Sequence, residues 1–201
     1  LYNNTSGSPN DAFGYQALYS NTTGVNNVGI GYIALSQNTT GIQNTAVGGY
    51  TLGAQAAGNT TFSNSTAIGY GALNKNTASS NTAVGTSALQ NNTTGQYGVA
   101  IGYQAGYSNT TGTNNTFVGQ AAGNTNSTAS NNTAVGYAAL GANTTGSPND
   151  AFGYQALYSN TTGTNNVAVG YQSLYTNTTG SSNTAVGYSA LNSNSVGINN
   201  T

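Results

Sequence analysis

Eleven glycines recur along this chain at an almost constant spacing, which limits the possible folds more than any other feature. Each follows a short apolar stretch such as Thr133-Ala134-Val135. These marker glycines are Gly14, Gly31, Gly48, Gly69, Gly85, Gly102, Gly119, Gly136, Gly153, Gly170 and Gly187. Their positions in the chain differ by 17, 17, 21 and 16, and then by 17 six times. A fixed period of this length predicts a solenoid of about eleven rungs, in which each repeat stacks on the previous one.

Each unit combines an extended stretch with a turn. The letters T-A-V-G-Y-Q-A-L-Y predict extended chain, because β-branched and aromatic residues favour strands, whereas S-N-T-T-G-x-N-N is typical of turns. A helix is disfavoured, since Gly, Thr, Val and Asn recur throughout. The unit therefore predicts an all-β, parallel β-solenoid.

Strand alternation predicts two faces for each extended stretch. One face carries Ala134, Gly136, Ala138 and Leu140, and the other carries Thr133, Val135, Tyr137 and Ala139. Both faces are substantially apolar, and a strand with two apolar faces usually has both covered. One face is expected to point into the coil, and the other to lie against another copy of the chain.

Two units depart from the common length. One holds four extra residues within 53–65, where we expect a loop that bulges from a single coil. The other, from Gly69 to Gly85, lacks one residue and contains Lys75, the only base in the chain, which we expect to be solvated in a loop. The chain begins and ends inside a unit without a visible cap, so residues 1–201 are expected to be a single repeat region of a longer fibre.

The chain is almost free of charge, with one Lys or Arg, two Asp or Glu, and no His or Cys. A charge in every unit would form a column of like charges, whereas Asn, Thr, Tyr and Gly can stack without repulsion. So few cations also exclude binding of nucleic acid by counterion release. No apolar run approaches the roughly 20 residues of a membrane-spanning helix, so no membrane contact by this segment is expected.

No catalytic constellation is visible, and we expect no enzyme activity, cofactor or metal site. Ser-His-Asp and Cys-His mechanisms and thiolate or imidazole metal sites need residues that the chain lacks. Asp11 and Asp150 occupy equivalent positions eight rungs apart, nearly 40 Å at about 4.8 Å per rung, which is too far for paired carboxylates. Each is expected to be a cap or turn aspartate after Ser-Pro-Asn, and an isolated cation ligand is the alternative.

Tyrosines follow most marker glycines and are expected to form a column. They are Tyr15, Tyr32, Tyr70, Tyr103, Tyr137, Tyr154, Tyr171 and Tyr188. Stacking within the fibre is one interpretation of this column. A carbohydrate-binding strip, with tyrosine faces against sugar rings, is the other.

Asparagines of the N-T-T segments match the N-glycosylation sequon. They are Asn21, Asn38, Asn109, Asn143, Asn160 and Asn177. Turn chemistry alone also explains these segments, as a ladder of Asn and Thr, so the glycosylation and ladder hypotheses both stay open. Regular rows of threonine also suggest an ice-binding surface. The threonine pairs of the N-T-T segments are, however, predicted to lie in a turn and not on a flat strand face.

The N-T-A-V-G-Y-x-A-L core at 132–140 and 183–191 resembles the repeats in the heads of YadA-like trimeric autotransporter adhesins. It is also similar to the N-T-A-[VI]-G-Y-Q-A-L-Y-S-N-T-T-G arrays of tail-fibre-type proteins of bacteria and phages. The resemblance covers essentially the whole chain and implies a left-handed parallel β-roll, usually a homotrimer, that extends from a cell or virion. The adhesin-head unit is typically shorter, and neither a membrane anchor nor a chaperone domain is present in these residues.

These observations together predict a structural fibre or stalk that presents or performs surface adhesion. The expected partners are further copies of the chain, in a homo-oligomer such as a trimer, and surface glycans. We expect an extracellular or cell-surface location. A phage-type tail-fibre shaft on a virion is the alternative. An ice-binding module and a carbohydrate-binding module are the less favoured hypotheses.

Overall fold

The computed structural model describes residues 1–53, 55 and 61–201, and these residues form a parallel β-solenoid. One sheet contains eleven strands in chain order. They are β1 (Asn10–Phe13), β2 (Asn27–Ile30), β3 (Thr45–Val47), β4 (Thr66–Ile68), β5 (Thr82–Val84), β6 (Val99–Ile101), β7 (Thr116–Val118), β8 (Asn132–Val135), β9 (Asn149–Phe152), β10 (Asn166–Val169) and β11 (Thr184–Val186). All ten neighbouring pairs are parallel.

The pairing register follows the sequence repeat. Between β8 and β9, Asn132 lies beside Asn149 and Ala134 beside Ala151, so each residue pairs with its equivalent in the next unit. The predicted all-β parallel solenoid, with one sequence repeat per rung, is therefore confirmed, and the described residues contain no helix.

The two irregular units keep the same register through the sheet. Thr45 of β3 pairs with Thr66 of β4 across the long unit, and Thr66 pairs with Thr82 of β5 across the short one. Residues 54 and 56–60 of the predicted loop lie outside the described residues. In the short unit, Asn76 donates a hydrogen bond to the carbonyl two residues on, whereas Asn92 reaches the carbonyl three residues on. The deletion therefore falls in the N-T-T-G turn and leaves the strands aligned.

The strands are much shorter than the sequence predicts, and the assignment of two alternating faces was wrong beyond the marker glycine. Strand β8 ends at Val135, and the chain then turns through left-handed residues, with φ of 50° at Ala138 and 54° at Leu140. Alternation holds only in extended backbone, so the turn brings Ala139 into the interior beside Leu140 instead of placing it outside with Val135.

The core is a narrow space between the strands and these turns. Alanines of the strands line one side of it, and an Ala-Leu pair from most of the turns lines the other. Examples are Ala134, Ala139 and Leu140, which are fully buried. Two columns of buried asparagines complete the interior at the corners of the coil.

Strand β7 departs from this pattern, because Phe117 holds the strand position that alanine usually occupies. Its ring occupies the space that leucines fill elsewhere. A Cβ at Gly106 would lie 2.7 Å from Phe117 Cδ2, and a Cβ at Gly123 would lie 2.4 Å from Phe117 Cδ1. Glycine therefore stands at the leucine position on both sides of Phe117, because the phenyl ring takes up that volume.

We expect Phe117→Ala to lower the free energy of unfolding by about 3 kcal/mol, because truncation leaves a cavity beside two glycines. The double variant F117A/G123L restores the alanine and leucine of the other rungs. It should recover most of the lost stability, since Gly123 has a φ of 58°, close to that of the native leucines. Urea unfolding of the two variants measures the effect, and a double variant no more stable than F117A would contradict volume compensation.

Candidate functional site

The N-T-T asparagines lie inside the coil and form a hydrogen-bonded ladder. Asn160 Nδ2 donates to Asn143 Oδ1 at 2.9 Å in the preceding rung and to the Gly163 carbonyl at 3.0 Å in its own turn. Asn21, Asn38, Asn109, Asn143, Asn160 and Asn177 are all at most 2% exposed. The side chains therefore satisfy the turn backbone and link successive rungs.

The burial of these asparagines distinguishes the glycosylation hypothesis from the ladder hypothesis. A glycan needs an accessible Nδ2, whereas Nδ2 here is buried and engaged in two hydrogen bonds. The folded geometry favours the ladder. The neighbouring threonines join it from outside, as in the 3.0 Å hydrogen bond from the Thr144 hydroxyl to the Thr161 carbonyl of the next rung.

A second asparagine ladder lies at the start of the strands. Asn166 donates through its backbone N–H and through Nδ2 to Asn149 Oδ1, at 3.0 and 3.1 Å, and Nδ2 also donates to the Gly180 carbonyl at 2.8 Å. From the sequence, this N-N segment was predicted only to be part of a turn. The recurrence of an asparagine just before each T-A-V triplet was the available signal.

The outer face of the sheet carries an exposed apolar column. It is formed by the last residue of each strand: Phe13, Ile30, Val47, Ile68, Val84, Ile101, Val118, Val135, Phe152, Val169 and Val186. Several remain about two-fifths exposed, including Ile101 at 42% and Phe152 at 40%. The stacked rungs therefore present a continuous apolar stripe to the outside.

Beside this stripe runs a second outward column of Thr and Val, and the two acids belong to it. Asp11 lies in β1 and Asp150 in β9, so the expectation of cap or turn aspartates was wrong. Asp150 pairs with Thr133 and Val167 in the neighbouring strands and is exposed. Outward strand positions accept Asp because the side chain stays in water. Lys75 is exposed in a turn.

The tyrosines form stacked runs rather than one unbroken column. Tyr15 stacks on Tyr32 with ring centroids 5.3 Å apart. The run over Tyr137, Tyr154, Tyr171 and Tyr188 has centroid separations of 5.0–5.1 Å and interplanar angles of 6–12°. The column is interrupted where another residue follows the marker glycine, as Gln120 does before Tyr137.

Around Tyr50 the column changes geometry. Its ring is tilted by 60° against Tyr32 and meets Tyr70 edge-on, because Gly49 follows the marker glycine and the tyrosine comes one residue later. The pKa of Tyr50 is raised above its ordinary value, mainly by desolvation. A side-chain hydrogen bond with Tyr32 and the nearby Tyr32 and Tyr70 hydroxyls raise it further. Ionisation of the Tyr50 phenol is therefore harder than that of an isolated tyrosine.

A second tyrosine column follows the turn leucines, with Tyr2 stacked on Tyr19 and Tyr158 on Tyr175. A shallow pocket of about 240 Å³ opens where the run that starts at Tyr137 and the stacked pair of Tyr158 and Tyr175 both begin. Tyr137 and Tyr158 form its walls, and Asn124, Gln155 and Gly141 contribute to the lining. This pocket was not predicted from the sequence, although Gly141 replaces the tyrosine of the consensus.

Comparisons with known proteins find no matching family model, no matching curated protein and no matching solved structure. In the described part of the chain, no helix is long and apolar enough to cross a membrane.

Proposed function

We propose that this chain is a structural segment of an extracellular fibre or stalk that contacts other surfaces. It assembles with further copies of itself as a homotrimer of left-handed coils, on a cell or a virion. The observation that carries the proposal is the exposed apolar stripe on the outer face of the sheet, which runs through all eleven strands.

The size of this face supports self-association. Strands of three or four residues stacked over ten steps give a sheet of about 48 Å by 10–13 Å, or roughly 500–600 Å², at standard strand spacings. The apolar stripe takes up about half of this face, and contiguous exposed apolar patches of a few hundred Å² often mark interaction sites. A second copy offers the same face, because every copy repeats at the same spacing.

The low charge of the chain supports a stacked, fibrous role. The outer face carries Asp11 and Asp150 as its acids, eight strands apart, and is otherwise built mainly from Thr, Val, Ile and Phe. Copies can therefore approach along the whole sheet with little electrostatic repulsion. No catalytic role is proposed for these residues.

We expect Val135→Lys to disrupt assembly, because a cation in the middle of the stripe would be desolvated against a partner. The oligomer should dissociate at least about tenfold more readily than the wild type, which sedimentation velocity over a range of concentrations can measure. In a monomeric coil, the new lysine side chain would stay in water, and the substitution would have little effect on folding.

Thr145→Lys is the matched control, since Thr145 is exposed in a turn away from the sheet. It should leave both the oligomer and its melting temperature unchanged. A wild-type chain that sediments as a monomer, or equal loss of the oligomer in both variants, would contradict the proposal.

A further inference from the structure

We propose that the pocket between Tyr137 and Tyr158 binds one neutral sugar ring of a surface glycan. The inference rests on the proposed role of the fibre in surface contact and names the ligand class of one site on it. The pocket is defined here by Tyr137, Tyr158, Asn124, Gln155 and Gly141.

Both tyrosine rings are held in place from one side only. Tyr137 stacks on Tyr154 at 5.1 Å, and Tyr158 stacks on Tyr175 at 5.5 Å, in nearly parallel planes. On the other side the equivalent positions hold Gln120 and Gly141 instead of tyrosine. Each ring therefore has one face without an aromatic partner, and such a face can receive the C–H face of a sugar.

The walls are also fixed by the backbone. The Gln155 N–H donates to the Tyr137 carbonyl at 2.8 Å, and the Ala142 N–H donates to the Tyr158 carbonyl at 2.9 Å. A site whose walls are already ordered loses less conformational entropy when a ligand binds. The pocket is therefore preorganised, although it is shallow.

Uncharged amide groups supply the polar part of the lining. Gln155 Oε1 accepts a hydrogen bond from Gln172 at 2.9 Å, and no group among the described residues accepts one from Gln155 Nε2. Asn124 Nδ2 donates to the Gln104 carbonyl at 3.2 Å, which leaves Asn124 Oδ1 as an acceptor. A donor and an acceptor beside aromatic walls match the hydroxyl groups and C–H faces of a sugar.

The charge and the size of the pocket further limit the class of ligand that it can bind. The lining contains no ionisable acid or base apart from the phenols, so nothing there compensates a phosphate, carboxylate or ammonium group. A volume of about 240 Å³ lies below the roughly 300–1,000 Å³ of drug-sized sites, so it suits a single ring rather than a longer segment.

The test is binding of the assembled chain to an array of neutral and charged glycans, followed by NMR titration of the free sugar that responds. Gly141→Tyr restores the consensus tyrosine and fills the pocket. A Cβ at Gly141 would lie 2.9 Å from Tyr158 Cε2, so the Tyr158 ring must move aside. We expect a neutral hexose or N-acetylhexosamine to bind the wild type, and G141Y to weaken binding at least about tenfold.

Asn192→Tyr is the matched control, because it adds a tyrosine at the same column position three rungs away. It should bind like the wild type, and Tyr158→Ala should bind as weakly as G141Y. Binding of charged glycans alone, binding of no sugar, or equal binding by G141Y and the wild type would overturn the inference. Sedimentation of the same samples reports assembly separately, so failure of the pocket and failure of the fibre are distinguishable.

Discussion

Gly136→Ala should lower the free energy of unfolding by at least about 4 kcal/mol and open the sheet between β8 and β9. Two effects combine. The φ of Gly136 is +135°, a region that residues with a side chain rarely occupy, at a cost of about 1–3 kcal/mol. A Cβ at this position would also lie 2.4 Å from the carbonyl oxygen of Gly153, so the two rungs would have to separate.

Gly187→Ala distinguishes the two effects. Gly187 has nearly the same φ, +131°, but a Cβ there would meet only the Ala190 Cβ at 3.9 Å within the described structure. This variant should lose about 1–3 kcal/mol, from backbone strain alone. Urea unfolding and hydrogen exchange at the Gly153 N–H, which donates to Val135 O at 2.8 Å, measure the difference. Equal losses in G136A and G187A would show that close contact between the rungs is not the constraint.

Asn143→Ala should cost about 3–5 kcal/mol, because it removes three buried hydrogen bonds at once. Asn143 Nδ2 donates to Asn126 Oδ1 at 2.8 Å and to the Gly146 carbonyl at 3.0 Å, and its Oδ1 accepts from Asn160 Nδ2 at 2.9 Å. A buried polar group without a partner costs about 1–3 kcal/mol. Alanine would remove the donor to the Gly146 carbonyl and would leave Asn126 Oδ1 with only the 3.4 Å hydrogen bond from Asn132 Nδ2.

Asn194→Ala provides the matched control in the same column. Asn194 is partly exposed, and its Nδ2 makes one long hydrogen bond, 3.4 Å, to the Gly197 carbonyl. We expect a loss of about 0.5 kcal/mol or less. Thermal unfolding of both variants measures the contrast. A similar small loss for N143A would mean that water replaces the side chain and that the ladder does not stabilise the coil.

The period of the marker glycines was sufficient to predict the parallel solenoid and its register. Gly136 and Gly153 hold the same position in consecutive units, and their backbones are in close contact. The sequence also predicted that the outer strand face would be apolar, and Val135 lies on that face. These features follow from repetition itself, because equivalent residues of stacked units must occupy equivalent places.

The path of the chain after each glycine could not be predicted from the same pattern. Ala138 and Leu140 adopt left-handed backbone conformations that their residue types disfavour. The fixed rung spacing and the burial of Leu140 outweigh that local preference. The depth of Asn143 was missed for a related reason, since asparagine is usually exposed and only the ladder makes its burial favourable.

The tyrosine pocket depends on departures from the repeat rather than on the repeat. Gln120 and Gly141 interrupt the two tyrosine columns at neighbouring rungs, and the pocket forms beside both interruptions. A consensus repeat shows tyrosine at both positions and so hides these two residues. Their proximity becomes visible only when the coil places positions from consecutive units side by side.

A cryo-EM map of the assembled chain would show both whether the rungs stack and whether the outer stripe is buried. We expect coils whose rungs are about 4.8 Å apart, with Gly119, Gly136 and Gly153 in line and with the stripe through Val135 and Phe152 buried between copies. Separate coils with that stripe in water would contradict the proposed assembly. Units that do not lie in line would contradict the solenoid itself.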